Sequence, residues 1–423
     1  MSWFKVALPG LMVFICWAWL ATWLEVGQAL GSALPLVLGA GWLVQLKLGS
    51  SWLSWARDGL EEIRVKGLLR QVLVAKKIFN KQIPRGYVKA KAKGKVVEAF
   101  IRVPVGAEAS QIEALTEHYR DALQVYAVRV TETQPGLVKL AVYAEDVLAG
   151  GLVRPDNKGF ERTDVTEPVK IGMNEVGQPA KVRLFSQTVL VGGSPGSGKS
   201  GTTWALISHA ALDPRAVLVV LDLKPSGIET KPVHDRADYL ALNPAEAKDV
   251  LGRVWDEIQD RNAKLAQLGL EKVPAGSDEF PPVVIFVDEA AELTRSGGAD
   301  GKLALDSLTR IVAVGRASGV GVVIITQKPD SSVLPTALRD LLAQRLCLRV
   351  GNREQAKTIL GEVSEGAEPW LIGVKQPGRG YLRGEDGSLQ LVQGVYMNRA
   401  EVIEMGKKAQ ALHEAEGERY LLP

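Results

Sequence analysis

The stretch T-V-L-V-G-G-S-P-G-S-G-K-S, residues 188–200, decides the fold of this chain. It is an apolar, strand-like run that leads into the pattern G-x-x-x-x-G-K-[ST], and the helix-like run S-G-T-T-W-A-L-I-S-H-A-A-L begins at its last residue. A strand–loop–helix unit of this kind binds phosphate, because its glycines let backbone N–H groups wrap the oxygens and the helix amino terminus adds a favourable dipole. The pattern therefore predicts a nucleotide-binding loop, or P-loop.

Two side chains of this loop have predicted roles in binding ATP and Mg²⁺. Lys199 would neutralise the charge of the β- and γ-phosphates, and the Ser200 hydroxyl would ligate Mg²⁺. We expect the consecutive residues of the loop to form the nucleotide site together; they are Gly193, Ser194, Pro195, Gly196, Ser197, Gly198, Lys199, Ser200 and Gly201.

An acidic pair follows a second apolar run, P-P-V-V-I-F-V-D-E at residues 281–289. A strand here would carry Asp288 and Glu289 to its carboxyl end, the edge where ligands bind in open α/β sheets. We expect Asp288 to hold Mg²⁺, directly or through water. We expect Glu289 to polarise the attacking water as a general base.

Further apolar runs fit the same sheet. Residues 216–224, 320–328 and 344–350 read as buried strands, and residues 244–267 and 302–317 read as helices between them. Nearly continuous apolar strands that alternate with helices indicate a parallel sheet covered on both faces. The predicted fold class is therefore α/β, of the P-loop NTPase (RecA-like) kind.

Two uncharged runs open the chain, with 19 residues between Lys5 and Glu25 and 21 between Glu25 and Lys47. Each has the length of a membrane-spanning helix, so residues 1–46 predict a two-helix transmembrane hairpin. A secretory signal peptide and a hairpin buried in a soluble core are the alternatives. The Lys and Arg residues after the second run predict a multi-pass protein of the cell membrane with both termini in the cytoplasm.

The next two segments differ in charge and pattern. Residues 47–95 carry thirteen Lys or Arg against three acids. They predict a basic, amphipathic juxtamembrane connector that contacts anionic membrane lipid, with contact to a DNA backbone as the alternative. Residues 96–166 show a β-α-β-β pattern and a linker, which predict a small α+β module for packing or oligomerisation.

The composition narrows the function classes. The net charge of the 423 residues is only +3, so the whole chain is not a histone-like binder of nucleic acid. Two cysteines cannot build a disulfide framework or a cysteine zinc site, and the four histidines lack metal-ligand spacing. We therefore expect no transition-metal centre.

Together with the P-loop and the acidic pair, four further stretches resemble the FtsK/SpoIIIE motor family, which includes the transfer proteins of actinobacterial conjugative plasmids and integrative elements. The likeness runs from about Glu167 to Met397, so we expect the motor domain at 167–397 and a C-terminal helix at 398–423. The stretches are E-P-V-K-I-G-M-N-E-V-G-Q-P-A-K-V-R-L-F (167–185), L-D-L-K-P-S-G (221–227), G-R-A-S-G-V-G-V-V-I-I-T-Q-K-P (315–329) and C-L-R-V-G-N-R-E-Q-A-K-T-I-L-G (347–361).

The resemblance implies roles for several side chains. Gln327 matches a glutamine expected to sense the γ-phosphate or the attacking water. Arg316 matches an arginine thought to reach the nucleotide of a neighbouring subunit, and Arg310 is the competing choice for this finger. Asp222 and Lys224 match an element near the nucleotide, although leucine stands where the family has proline between them, and we expect them to support the site.

The resemblance also implies a partner and an assembly. We expect a homo-oligomer, a hexameric ring, that hydrolyses ATP to move double-stranded DNA. Two polar loops, 224–232 and 294–302, are candidates for contacts with DNA phosphates, with ordinary solvated loops as the alternative. Only 26 residues follow Met397. They are too few for the family's DNA-reading module, so a separate DNA-specificity protein is an expected partner.

Three functions fit these features. Conjugative transfer of a mobile element is favoured over chromosome segregation, because the chain is short and the DNA-reading module is not expected in it. The alternative from another class is a type VII-like protein-secretion ATPase, which shares the motor motifs. Such proteins usually carry several ATPase modules, whereas the sequence shows one P-loop.

Overall fold

The computed structural model describes residues 51–79, 82–93, 96–149, 153–157, 159–224, 229–295, 298–327, 334–361, 367–416, 420 and 422–423. The chain divides into two compact units, one up to Val142 and one from Tyr143 to Pro423. The transmembrane hairpin predicted for residues 1–46 lies outside the described residues.

The predicted multi-pass location in the cell membrane is contradicted. Among the residues that the structure describes, no helix is both long and apolar enough to cross a bilayer. The helix that begins at Ser51 is long enough to cross a bilayer, but it is not apolar enough, because its middle carries Glu61, Glu62, Arg64 and Lys66.

The amino-terminal unit is a four-stranded sheet with helices on one face. Its order is β1-β2-β4-β3, and β1 pairs with β2 in antiparallel fashion. The elements are α1 (Ser51–Ala75), β1 (Val88–Lys93), β2 (Val96–Arg102), α2 (Ala109–Glu113), α3 (Thr116–Leu123), β3 (Ala127–Gln134) and β4 (Leu137–Tyr143).

The predicted connector, residues 47–95, differs from what the structure shows. Leu69 and Leu73 of α1 are fully buried and share one core with Ile101 and Leu140 of the sheet. The unit therefore contains both α1 and β1, and it ends at Val142. The reason is that α1 buries its apolar side chains against the sheet, which binary patterning alone cannot assign to a particular partner.

The carboxy-terminal unit is built on a ten-stranded sheet with the order β6-β5-β14-β13-β12-β7-β11-β10-β8-β9. The six strands from β12 to β9 pair in parallel, and the other four pair in antiparallel fashion. The strands are β5 (Val169–Asn174), β6 (Pro179–Val182), β7 (Thr188–Gly192), β8 (Val217–Asp222), β9 (Tyr239–Ala241), β10 (Val283–Asp288), β11 (Val320–Thr326), β12 (Gln344–Leu348), β13 (Arg379–Arg383) and β14 (Leu389–Gly394).

Helices cover both faces of the parallel region. Strand residues alternate between two apolar cores: Val219 belongs to the core under α5 and α7, and Val220 to the core under α4 and α10. The helices of this unit are α4 (Lys199–Ala211), α5 (Pro244–Leu268), α6 (Ala291–Arg295), α7 (Gly298–Val314), α8 (Thr336–Asp340), α9 (Arg353–Leu360) and α10 (Arg399–Glu416).

The mixed α/β class and the large sheet with a parallel region are confirmed. The antiparallel half corrects the expectation of a wholly parallel sheet. It contains the hairpin β5–β6 and the hairpin β13–β14, which continue the sheet beyond β12. The parallel strands all point their carboxyl ends to the same edge, and the candidate site lies there.

Candidate nucleotide-binding site

The P-loop connects β7, the strand near the centre of the sheet, to α4. Its backbone takes the left-handed conformation at Gly196 (φ 71°) and Gly198 (φ 90°). A Cβ at Gly198 would overlap the main-chain nitrogen of Gly378, which donates a hydrogen bond of 2.7 Å to the carbonyl oxygen of Ser197. A glycine is needed here both for the backbone conformation and for the close approach of a second segment.

Lys199 begins α4 and is nearly buried. Its Nζ donates a hydrogen bond of 2.8 Å to the carbonyl oxygen of Gly193, so the side chain curls back along the loop. Burial first, and then the positive charge of Lys224, lower the pKa of Lys199 to about 8, against the opposing effect of Glu289 and two other acids. A group that is short of compensating negative charge in this way is suited to bind phosphate.

Asp288 lies at the carboxyl end of β10, between β8 and β11. It faces Asp222 of β8 and Ile325 of β11 in the register of the sheet. Burial raises the pKa of the Asp288 carboxyl group to about 6, and the ammonium group of Lys224 opposes this rise. The two atoms Lys224 Nζ and Asp288 Oδ2 are 3.0 Å apart.

Glu289 has an unusual backbone and a firmly held side chain. Its φ is 62°, in the left-handed region that few residues other than glycine adopt. Oε1 accepts a hydrogen bond of 3.0 Å from the Thr326 hydroxyl, and Oε2 accepts one of 3.1 Å from the Gln327 backbone N–H. The end of β11 therefore sets the position of this carboxylate.

Lys199, Ser200, Asp288 and Gln327, all predicted site residues, line one cleft of about 480 Å³ at the carboxyl edge of the sheet. This volume lies within the range typical of small-molecule sites. Residues at or just after the ends of four strands, β7, β8, β10 and β11, contribute to it. Its lining includes Pro195, Gly196, Gly198, Lys199, Ser200, Lys224, Glu229, Thr230, Asp288, Gln327, Pro377 and Arg399.

These residues fit a nucleoside triphosphate with Mg²⁺. The loop offers left-handed glycines and a buried ammonium group, and Ser200 and Asp288 offer oxygen ligands to the same cleft. The Ser197 hydroxyl is buried without a hydrogen-bond partner among the described residues. A polar atom of this kind is costly to leave unpaired, and a bound phosphate is a suitable acceptor.

Several residues at the cleft were missed by the sequence analysis. Arg349 donates a hydrogen bond of 3.2 Å from its guanidinium group to the carbonyl oxygen of Pro195, and its own carbonyl oxygen accepts one of 2.8 Å from Ser194. The segment at Pro377 comes from the antiparallel half, and Arg399 begins α10. Arg349 follows a predicted strand, and that position at the carboxyl edge is a signal that could have drawn attention to it.

Arg316 does not lie at this cleft. It precedes β11, and its guanidinium group pairs with Glu385, which also accepts a hydrogen bond of 2.9 Å from Gln187 just before β7. Both positions mark the amino edge of the parallel strands. The P-loop is about 20 Å away along a strand of this length. The competing Arg310 is exposed on α7 and does not line the cleft either.

The supporting pair predicted from the resemblance lies beside the site. Asp222 is buried, and its Oδ2 accepts a hydrogen bond of 2.5 Å from the Thr230 hydroxyl. Lys224 pairs with Glu229 at 2.5 Å as well as with Asp288. The two candidate DNA loops are described only in part, because 225–228 and 296–297 lie outside the described residues.

A P-loop that enters a helix from a parallel strand, with an acidic pair at the end of the next strand but one in the same sheet, defines a P-loop ATPase. Within this class the chain carries an FtsK/SpoIIIE domain, because residues 154–281 match the FtsK/SpoIIIE family. The match takes in the P-loop and ends before the acidic pair.

Relatives by sequence bear the name DNA translocase FtsK. The protein of that name from Treponema pallidum is 27% identical over 373 residues, and the match covers 82% of this chain and 44% of that protein. The Staphylococcus aureus protein (strain Mu50) is 26% identical over 333 residues, and the match covers 73% of this chain and 40% of that protein. The chain therefore spans less than half the length of these two relatives.

Solved structures share the fold. The pCW3 conjugation coupling protein TcpA, solved as a monomer with ATPγS, has a TM-score of 0.53 and 16% identity, and the match covers 82% of this chain and 99% of that one. EssC (ATPases 2 and 3) from Geobacillus thermodenitrificans has a TM-score of 0.50 and 17% identity, over 62% of this chain and 51% of that one.

Proposed function

We propose that this chain is an ATP-driven translocase of double-stranded DNA that acts as a homo-oligomeric ring and serves the transfer of a mobile element. The observation that carries the motor part is the meeting of Lys199, Asp288 and Gln327 in one cleft, with Glu289 held at its edge by Thr326. The DNA part rests on the relatives named DNA translocase FtsK.

The residues of the cleft divide the work of ATP hydrolysis. The loop N–H groups and Lys199 would bind the phosphates, and Ser200 and Asp288 would hold Mg²⁺, which supplies neutralising charge when bound. Lys224 keeps positive charge beside Asp288 and so favours its ionised, metal-binding form against the effect of burial.

Glu289 is the proposed general base. Its carboxylate would accept a proton from the water that attacks the γ-phosphorus, while the bond to the β-phosphate oxygen breaks and ADP leaves. The two hydrogen bonds from the end of β11 orient the carboxylate before the reaction. Gln327 follows Thr326 directly and lines the cleft, which supports the proposal that it senses the γ-phosphate or the attacking water.

Arg316 requires a second subunit for a catalytic role. It is exposed and lies about a strand length from the P-loop of its own chain, so it cannot insert there. An arginine that acts in trans completes a site only when subunits meet, which supports a ring. We propose six subunits, as the family resemblance implies.

The process that the motor serves is proposed from likeness to other proteins. The fold likeness to a conjugation coupling protein extends over 82% of this chain. At 16% identity it is a likeness of fold alone, but it agrees with transfer of a mobile element. Chromosome segregation is the second candidate, because relatives by sequence are named DNA translocase FtsK. A separate protein would supply the DNA sequence specificity.

DNA-stimulated hydrolysis tests the proposal. We expect the purified chain to release phosphate from ATP several-fold faster with linear duplex DNA than without it, and Lys199→Ala to abolish both rates. The rate of ATP hydrolysis should rise with duplex length and level off once a duplex is long enough to fill the DNA-binding site of the ring. If no duplex of any length stimulates an enzyme that hydrolyses ATP, the DNA-translocase proposal is wrong.

A further inference from the structure

The described helices of the amino-terminal unit pack on one face of its sheet. Alternate strand residues such as Val88 and Leu140 turn toward α1 and α3 and are buried in the core. The intervening residues turn to the other side. We call this side the outer face and define it by Lys89, Lys91, Phe100, Arg102 and Lys139.

The outer face is strongly basic. Lys89 and Lys91 of β1 and Arg102 of β2 are exposed, and Lys139 of β4 is about one-third exposed. Among the described residues of the four strands, Glu98 is the one acid that strand alternation places on this face. It is buried, and its Oε1 lies 2.6 Å from Lys139 Nζ, so its charge is already compensated.

Protection of a sheet edge does not explain this distribution. Lysines on an edge strand prevent pairing with other chains, and β1 is an edge strand. However, Arg102 lies on the inner strand β2, where no edge needs protection, and Lys139 on the inner strand β4 compensates the buried Glu98. The charge therefore spreads across the face rather than along its rim.

We infer that the outer face binds the phosphate backbone of nucleic acid, as a contact surface separate from the motor. Successive residues on one side of a strand are about 6.8 Å apart, which equals the rise along the axis of a duplex over two phosphates of one strand. Lys89 and Lys91 have this spacing. Backbone contacts of this kind hold DNA without reading its sequence, as a translocase requires.

A membrane surface is the competing anionic partner. Amphipathic surfaces that insert into lipid pair their basic residues with apolar side chains that enter the bilayer. Phe100, the aromatic residue of the outer face, is half-buried beside Lys89 in the sheet, so it is poorly placed to enter a bilayer. The observations therefore favour nucleic acid.

The test uses the full chain, a short fluorescein-labelled duplex of random sequence, and the single strand of equal length. Lys89→Ala/Lys91→Ala should weaken binding of nucleic acid by roughly 10- to 30-fold near physiological salt and reduce the slope of log K against log[salt] by about two. The matched control Lys66→Ala/Lys76→Ala removes the same charge from exposed lysines of α1 and the turn after it, and should change neither quantity. Arg102→Ala should add a further decrease of about one in slope.

Two results would overturn the inference. One is equal binding by the wild type and the Lys89→Ala/Lys91→Ala variant, or an equal loss in the control. The other is binding to vesicles of equal parts phosphatidylserine and phosphatidylcholine that depends on Lys89 and Lys91 while binding to nucleic acid does not. Comparison of duplex with single strand shows which form the face prefers.

The inference rests on the proposed DNA substrate, but its failure can be told apart from failure of the motor. Binding is measured without ATP, and hydrolysis without DNA should be unchanged in both variants. A chain that binds DNA through Lys89 and Lys91 but shows no DNA-stimulated hydrolysis would refute the motor proposal and leave the outer face standing. If the Lys89→Ala/Lys91→Ala variant instead shows wild-type DNA binding and wild-type DNA-stimulated hydrolysis, the outer-face inference is refuted and the motor proposal stands.

Discussion

The hydroxyl of Thr326 donates a hydrogen bond of 3.0 Å to the carboxylate of Glu289 across the boundary between β11 and β10. Both residues are buried, and Glu289 adopts a left-handed backbone conformation, with φ of 62°. Strained residues of this kind persist where the surrounding structure holds them, and they cluster at functional sites. Thr326 is therefore a positioning residue for the proposed general base.

The first prediction separates this positioning role from a merely structural one. Thr326→Val keeps the shape of the side chain and removes the donor, so kcat for ATP hydrolysis should fall by roughly 10- to 100-fold, less than the ~10²–10⁴ expected for loss of a general base. KM for ATP should change little, and Thr326→Ser should keep most of the activity. Equal losses in the Val and Ser variants, or a loss confined to KM, would refute the positioning role.

Two glycines of the P-loop provide a matched pair. Both have positive φ, but a Cβ at Gly198 would overlap the backbone of Gly378, whereas a Cβ at Gly196 would approach nothing closer than Arg349 at 3.9 Å. Gly196→Ala should therefore cost only the left-handed penalty of about 1–2 kcal/mol in the free energy of unfolding. Gly198→Ala should cost more and should also abolish binding of a fluorescent ATP analogue.

Urea unfolding and titration with the analogue give both quantities for each glycine variant. The close approach of the Gly378 segment would be disproved if Gly198→Ala were as stable as Gly196→Ala and bound the analogue with wild-type affinity.

The third prediction concerns Arg316. If it acts in trans, Arg316→Ala should reduce hydrolysis by about 10³-fold or more, and a mixture with inactive Glu289→Gln chains should recover measurable activity. Glu385→Gln, which releases Arg316 from its partner within the chain, is the control and should stay within a few-fold of the wild type. The trans role would be excluded by an absence of recovery in assemblies shown to contain both variants.

The fourth prediction is a pH dependence of stability at the end of α4. Burial lowers the pKa of His209 below its ordinary value of 6.5, although its hydrogen bond to the Glu167 carbonyl opposes the shift. The folded chain thus binds this proton less tightly than the unfolded chain does. The contribution of His209 to stability is present above pH 6.5 and is lost as the pH falls through the lower, folded-state pKa.

Replacement of this histidine should make the free energy of unfolding depend less on pH in the acid range. Between about pH 7 and pH 5 the free energy of unfolding of the wild type should fall more steeply than that of His209→Gln, whose amide can still donate to the Glu167 carbonyl. Urea unfolding at several pH values measures both slopes. Parallel slopes would show that other groups control the acid sensitivity.

The sequence predicted the parts of the site that are local in the chain. The P-loop depends on a short run in which glycine, lysine and serine each have a chemical reason for their place, and Asp288 follows directly from the apolar run of β10. The structure adds what is distant in sequence. Thr326, Arg349 and Gly378 reach the loop or the acidic pair because the sheet brings their strand ends together, and the sequence does not show which of these contacts each residue makes.

The larger errors of prediction have the same origin. The apolar face of α1 was interpreted as a juxtamembrane feature, whereas Leu69 and Leu73 pack into the amino-terminal sheet. Periodicity shows that a helix has an apolar face but not what covers it. Similarly, β13 and β14 extend the sheet in antiparallel fashion, and short strands of this kind carry no sign of their direction in the sequence.

Displacement of a third strand from duplex DNA tests the central claim most directly. A triplex-forming oligonucleotide placed on a linear duplex should be released when the full chain and ATP are added, at a rate that falls to background with Glu289→Gln or with a non-hydrolysable analogue. The account predicts release that takes longer as the oligonucleotide is placed farther from the duplex end where the enzyme loads. ATP hydrolysis without any displacement, on duplexes that the chain demonstrably binds, would contradict it.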